Sequence, residues 1–242
     1  MKDEASLFVT GSVDTPSRFS SFLSLAFPGD RLKSVRKSIE DKYPSPGEPF
    51  NGNQTLRLQK MLQDWTFVCN TRQIYDAFPK QVYAMQYGFV PATHGSDVVP
   101  LSYTGNRDSM DLLEFVGLPE NIASVLAGIV PSLSYTYLRY YVSHAIYGNP
   151  NDLRGNGMME WPLTEDDGNQ ITNALQTNLI FLDPAHRFFD IRPDAESSRD
   201  NCQFWTETAS AITKANSAGL SAAKNGLRMQ DSHGTWEGLE LK

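Results

Sequence analysis

Cysteine is almost missing from the sequence. Only Cys69 and Cys202 occur in 242 residues, too few for a fold built on disulfides. Long apolar runs are missing too: none approaches the roughly 18 residues of a membrane span, which excludes a spanning segment. Positive charge is in deficit. With 21 Lys and Arg against 28 Asp and Glu, the net charge is −7. That argues against a nucleic-acid partner, because phosphate binding needs a basic face. The densest basic run, Arg31, Lys33, Arg36 and Lys37, is soon followed by Glu40 and Asp41 and reads as the solvated face of a helix. No charged-then-apolar leader and no small-residue cleavage site follow Met1, a start that by itself reads as cytoplasmic or truncated. No internal repeat or low-complexity tract occurs. No Gly-Gly pair exists, and no serine has glycine at both −2 and +2. A G-x-S-x-G nucleophile elbow is therefore absent from these residues, as is a Gly-rich oxyanion loop.

What is present is enough for a sizeable core: 40% of the residues are apolar. The run Ser6 to Thr10, ended by Gly11, reads as a strand end or a first helical turn. Phe19, Phe22, Leu23 and Phe27 recur at helical spacing over 16–26, and a second helix is expected over 30–42 after the breaker Pro28-Gly29. Leu56, Leu58, Met61, Leu62, Trp65, Val68, Cys69 and Ile74 mark one long amphipathic helix from Gln54 to Phe78. The period then falls to two, and Gln81 to Val90 reads as a strand. Further along, an aromatic-rich helix is expected over 131–147, a last strand over 187–191 and a helix from Ser198 to about Ser217. Helices are plentiful, whereas the two or three strands lie far apart in sequence. Such strands need partners, which points to a partial sheet.

His94 is the most informative residue for chemistry. It follows the strand, sits beside Gly95, and has Asp97 three residues on. A loop at the carboxyl end of a strand is where an α/β enzyme places a general base. A loop histidine bonded to a neighbour is the plainer alternative. His144, His186 and His233 form no cluster with it at ligand spacing, so no metal is expected. By composition, Asp3 and Glu4 look like the acidic first turn of a helix.

Four strings in order nevertheless resemble the type-B carboxylesterase/lipase family, which includes the cholinesterases. Asp3 to Phe8 is similar to that family's DEG-x-x-F segment, with Ala5 where glycine is usual. Val82 to Asp97 resembles the strand and HG-x-E/D loop. Tyr147-Gly148-Asn149-Pro150-Asn151 with Trp161-Pro162 resembles the TGNPN…WP segment. Phe189-Asp190-Ile191 and Cys202-Gln203-Phe204-Trp205 resemble the last strand and the C-x-FW helix. The likeness covers about residues 1–212 and is loose between Asp97 and Pro131.

The resemblance implies the C-terminal part of an α/β-hydrolase: an α/β fold, rich in helix, with a few strands of an incomplete central sheet. That part would span residues 1–219, with a flexible tail over 220–242. It implies that Glu4 is the acid and His94 the base of a catalytic triad acting on a small-molecule ester without a cofactor. It also implies that Cys69 and Cys202 are bridged. Together with the sequon Asn53-Gln54-Thr55, this would make the parent protein secreted. With the nucleophile not among these residues, the chain alone is expected to be inactive, as the partner of a missing N-terminal half. The alternatives are a non-catalytic binding or scaffold module and a half-enzyme complemented in trans.

Overall fold

The computed structural model describes residues 4–9, 13–178, 188–194 and 196–231, with 219–231 in backbone only. It shows the helix-rich α/β arrangement expected from the sequence, with a small mixed sheet of four strands. Two large apolar cores share most of the burial, beside a small cluster of Ala84, Ile171 and Ala174 against which Tyr75 packs.

The first core is helical. A 3₁₀ turn, Glu4–Phe8, leads to α1 (Pro16–Ala26), whose start is set by Pro16 and by Thr15, which caps the Arg18 amide at 3.3 Å. A short 3₁₀ turn, Asp30–Leu32, precedes α2 (Lys33–Lys42). Asn53 then caps α3 (Gln54–Leu62) by accepting from the Leu56 amide at 3.1 Å. The sequence predicts one uninterrupted α-helix over 54–78; the structure breaks that regularity. Gln63–Val68 is π-helical, and α4 (Cys69–Ala77) resumes after it. The Cys69 amide bonds to the Asp64 carbonyl five residues back, so one residue is absorbed in the π turn.

Phe19, Leu23, Ile39, Met61, Cys69, Cys202 and Trp205 close this core, with α9 (Arg199–Asp231) laid against it. Cys69 and Cys202 form a disulfide, as the resemblance implied. Beside it the Trp205 indole donates to the Tyr43 hydroxyl at 2.9 Å, and that hydroxyl donates to Asp64 at 2.8 Å. Asp64 is wholly buried and is also met by the Lys60 ammonium at 2.9 Å. Burial, reinforced by the Asp64 charge, pushes the Tyr43 hydroxyl far above its ordinary range, so it stays a donor at any physiological pH. The backbone of α9 is helical to Asp231, past residue 220, where the sequence reading began the tail; residues 232–242 lie outside the described residues.

The second core packs helices on the sheet. The expected strand over 81–90 is extended in the sheet only at β1 (Met85–Gly88). After it come α5 (Val98–Leu101), α6 (Asn106–Phe115), α7 (Glu120–Ala127) and the aromatic α8 (Val130–Tyr147). The sequence reading placed no element between Asp97 and Pro131, where three short helices stand. Gly148, at φ 72°, ends α8 with its amide on the His144 carbonyl.

The strands β2 (Glu165–Asp166), β3 (Ile171–Asn178) and β4 (Phe189–Asp194) complete the sheet. The last strand was expected over 187–191; it begins at Phe189 and runs on to Asp194, and Arg187 lies outside the described residues. β3, which the sequence reading missed, is the strand every other one pairs with. β1 lies parallel to it with Met85 opposite Leu175. β2 and β4 are antiparallel, with Glu165 opposite Thr172 and Phe189 opposite Thr177. Asn173, at φ 59°, sits in a register shift against β4.

Two polar clasps tie these parts together. Arg72 on α4, only 1% exposed, binds Asp166, Asp76 and the carbonyls of Asn169 and Ser197. Asn151, after α8, pairs both backbone groups of Trp161 at 2.8 Å, and the Trp161 indole donates to the Ala84 carbonyl at 3.0 Å. That gives the Gly148–Asn151 and Trp161-Pro162 strings a physical purpose: they fasten the lead-in to β1. Among the described residues no helix is long and apolar enough to cross a membrane.

The disulfide closes 133 residues of sequence. The double variant Cys69→Ser/Cys202→Ser is expected to lose about 3–5 kcal/mol of unfolding free energy, from the larger entropy of the open denatured chain. Urea unfolding of both forms under oxidising conditions measures it, and equal midpoints would contradict the expectation.

Candidate active site

β1 delivers the candidate base. Its last residue, Gly88, packs so closely on β3 that a Cβ there would stand 2.5 Å from the Thr177 carbonyl oxygen; no side chain fits. The Gly88 amide is taken by the Thr177 hydroxyl at 2.9 Å. Beyond it the chain turns through a cis Val90–Pro91 bond into the loop that carries His94. Two buried hydroxyls hold that loop. Ser96, wholly buried, donates to the Thr93 carbonyl at 2.7 Å, and Thr93 donates to the Val116 carbonyl at 3.2 Å. Gly95, at φ 84°, takes the left-handed turn that follows His94. The loop is therefore fixed on both sides of the imidazole.

Glu4 reaches the same point from the 3₁₀ turn at the other end of the sequence. Its Oε1 lies 2.7 Å from His94 Nδ1. The environments of the two groups differ sharply: the Glu4 side chain is 10% exposed, that of His94 50%. A buried carboxylate on Nδ1 selects the tautomer that carries its proton there. Nε2 is then left as the acceptor, on a ring half open to solvent. Chemically this is a base oriented by an acid, the arrangement needed to take a proton from a hydroxyl and return it to a leaving group. Ala5, where the similar family has glycine, is fully buried.

The sequence reading missed the rings around the pair. Phe8 and Phe67 each stand 5.3 Å from the His94 ring centre, and they stack on each other at 5.9 Å. Their contact, across 59 residues of sequence, gave no signal, although Phe8 closes the string that resembles DEG-x-x-F. Thr93 was equally invisible, although Thr and Ser flanking a loop histidine are a fair hint of a pinned turn. Behind Glu4 lies a cavity of about 90 Å³ lined by Phe67, Thr71, Tyr75, Gln86 and Asp194.

Other residues weighed from the sequence fall elsewhere. Asp97 is not in the Glu4–His94 contact; its charge acts on Tyr87, whose hydroxyl is pushed up by burial first and Asp97 second. Tyr87 itself, on β1, and Phe89, just after it, are core residues, at 4% and 1% exposure. His144 packs edge-on against Tyr83, and His186 and His233 lie outside the described residues.

No family model matches the chain. Its curated relatives nevertheless give it a lipase/esterase-like relationship. A protein named "Secreted lipase" from Arthroderma benhamiae is 28% identical over 216 residues, which is 88% of this chain and 37% of that protein. "Secreted lipase 4" from Gibberella zeae is 25% identical over 182 residues, 69% of this chain and 29% of that protein. The chain thus spans about a third of the length of these relatives.

The Glu4–His94 bond is directly observable. A proton signal far downfield of ordinary imidazole N–H is expected for His94 Nδ1–H, lost in Glu4→Ala and in His94→Gln. Proton NMR of the three forms checks it, and a signal that survives Glu4→Ala would show that Glu4 is not its acceptor.

Proposed function

We propose that residues 1–219 are the C-terminal part of a carboxylic ester hydrolase domain of the cholinesterase-like type-B carboxylesterase kind. Glu4 is its triad acid and His94 its general base. The observation that carries this reading is the 2.7 Å contact between Nδ1 and Oε1 of residues 90 apart in sequence. The four family-like strings support it, as do two relatives named as lipases.

In this reading a serine on a polypeptide segment outside the present sequence attacks the ester carbonyl. His94 Nε2 takes the serine proton as the Oγ–acyl bond forms, then gives it to the leaving alkoxide as the ester C–O bond breaks. Water repeats the sequence on the acyl-enzyme, again with His94 as base. Glu4 holds the ring and stabilises the imidazolium. Oxyanion donors come with the serine. The chain by itself has a base and an orienting acid but nothing to attack the carbonyl, so it is inactive alone. Its substrate is a small-molecule ester.

Location follows from the same reading. The relatives are named as secreted, and a disulfide belongs to an oxidising compartment. We place the parent protein outside the cell, with Asn53 as a glycan acceptor. Asn53 is exposed, and it caps α3 through its carbonyl oxygen, Oδ1, whereas a glycan would attach to the amide nitrogen. Expression through a eukaryotic secretory pathway should give a product whose mass drops on amidase deglycosylation. Asn53→Gln should run at the deglycosylated mass, and an unchanged wild-type mass would remove the acceptor.

The catalytic reading is tested with p-nitrophenyl butyrate. The chain alone should hydrolyse it no faster than buffer. Co-expressed with the unmatched portion of the Arthroderma benhamiae relative, it should turn the ester over. His94→Ala and Glu4→Gln should then each lower kcat by about 10³–10⁴-fold. Turnover by the chain alone, or full activity of the pair carrying His94→Ala, would defeat the proposal.

A further inference from the structure

The π-helical turn has a consequence for His94. Along α3 the inward residues are Gln54, Arg57, Leu58 and Met61, at steps of three and four. Continued regularly, that spacing would bring 64 or 65, then 68, then 72 to the buried side. The buried residues are Gln63, Asp64, Cys69 and Arg72, with Trp65 and Val68 partly buried against the helical core. The step from 64 to 69 is the five-residue step of the π turn, whose hydrogen bond joins the Cys69 amide to the Asp64 carbonyl. It turns Cys69 toward Cys202 and leaves Phe67 on the opposite side of the segment. There Phe67, with Thr71 and Tyr75, lines the cavity beside Glu4, and its ring meets both Phe8 and His94.

We infer that Phe67, aimed by the π turn, is a positioning residue that holds the His94 imidazole against Glu4, with Phe8 as the second ring of the clamp. The inference deepens the reading of His94 as the base and rests on it. The physical need is plain. A side chain half exposed to water, fixed by one hydrogen bond, retains rotation about χ1 and χ2, and each misaligned rotamer takes Nδ1 away from the carboxylate. Two ring contacts at 5.3 Å, tilted by 38° and 58°, lie in the range where aromatic pairs attract. They restrict the imidazole from the side that Glu4 does not touch.

The test uses the 242-residue chain with labelled histidine, the His94 ring signals being assigned by their loss in His94→Gln. In the wild type the His94 ring protons should lie upfield of those of free histidine, because two aromatic rings shield them. Phe67→Leu should move them downfield and weaken the low-field Nδ1–H signal, while Phe67→Tyr, which keeps the ring, should preserve both. Phe8→Leu changes a half-exposed residue and should move the same protons even if Phe67→Leu disturbs folding. His94 signals unmoved by both Leu variants would overturn the inference. In the complemented ester assay Phe67→Leu should lower kcat by about 10- to 100-fold with KM unchanged. The two readings fail separately. Unmoved signals with an inactive His94→Ala would sink the clamp alone. Moved signals with a fully active His94→Ala would sink the ester reading, and with it the catalytic purpose of the clamp.

Discussion

The segment from Gln54 to Ala77 has to satisfy two neighbours on opposite sides, and most of the structure hangs on how it does so. One side must bury Leu58, Met61, Asp64 and Cys69 in the helical core. The other must meet β1 and the Glu4 turn, where Phe67, Thr71 and Tyr75 stand. In a regular helix Met61 and Cys69, eight residues apart, would stand about 80° apart around the axis. Absorbing one residue in the π turn corrects that offset. The disulfide to α9, the buried Tyr43–Asp64 pair and the ring contact to His94 are all made from this one segment.

The candidate site shows the same economy. Its two polar groups come from opposite ends of 90 residues and from different kinds of backbone, a 3₁₀ turn and a post-strand loop. Neither holds the other by itself. Glu4 is placed because its turn packs on α3 and the π segment. His94 is placed because Gly88 lets β1 close on Thr177, and because Thr93 and Ser96 lock the loop beyond it. In the proposed roles, burying the acid and exposing the base gives each group what its task requires. The carboxylate acts in a low-dielectric setting, where its bond to the imidazole is strong, and the imidazole keeps an open side.

How much of this a reader of the sequence can recover differs by element. The helices over 16–26 and 130–147 announce themselves through aromatic residues at three- and four-residue spacing, closed by Pro, Thr or Gly at their ends. β3 does not. Ile171, Ala174 and Leu175 are interrupted by Asn173 and Gln176, and the register shift at Asn173 breaks the alternation on which strand recognition depends. The short helices between Val98 and Ala127 each carry too few turns for a period to emerge. Glu4 and His94 were legible as a pair only through the order of several strings, since an acidic residue near Met1 has no distinguishing local pattern. Phe8 showed only as the last residue of a family-like string and Phe67 left no trace, because ring stacking imposes no spacing on the sequence.

By itself, then, the sequence determined which residue types are available and which local periods they favour. Helical content, a short aromatic strand ending in a histidine loop and the absence of a G-x-S-x-G elbow from these residues all follow from neighbours within a few positions. Only the tertiary structure decided which distant groups meet: Cys69 with Cys202, Arg72 with Asp166, Glu4 with His94, Phe67 with both Phe8 and His94. The reason is the range of the forces involved. Propensity and capping act along the chain over a turn or two, whereas packing, hydrogen bonding and ring contact act through space and compare all faces of the molecule at once. The π turn sits at the boundary between them, a local irregularity chosen because two distant surfaces both had to be met.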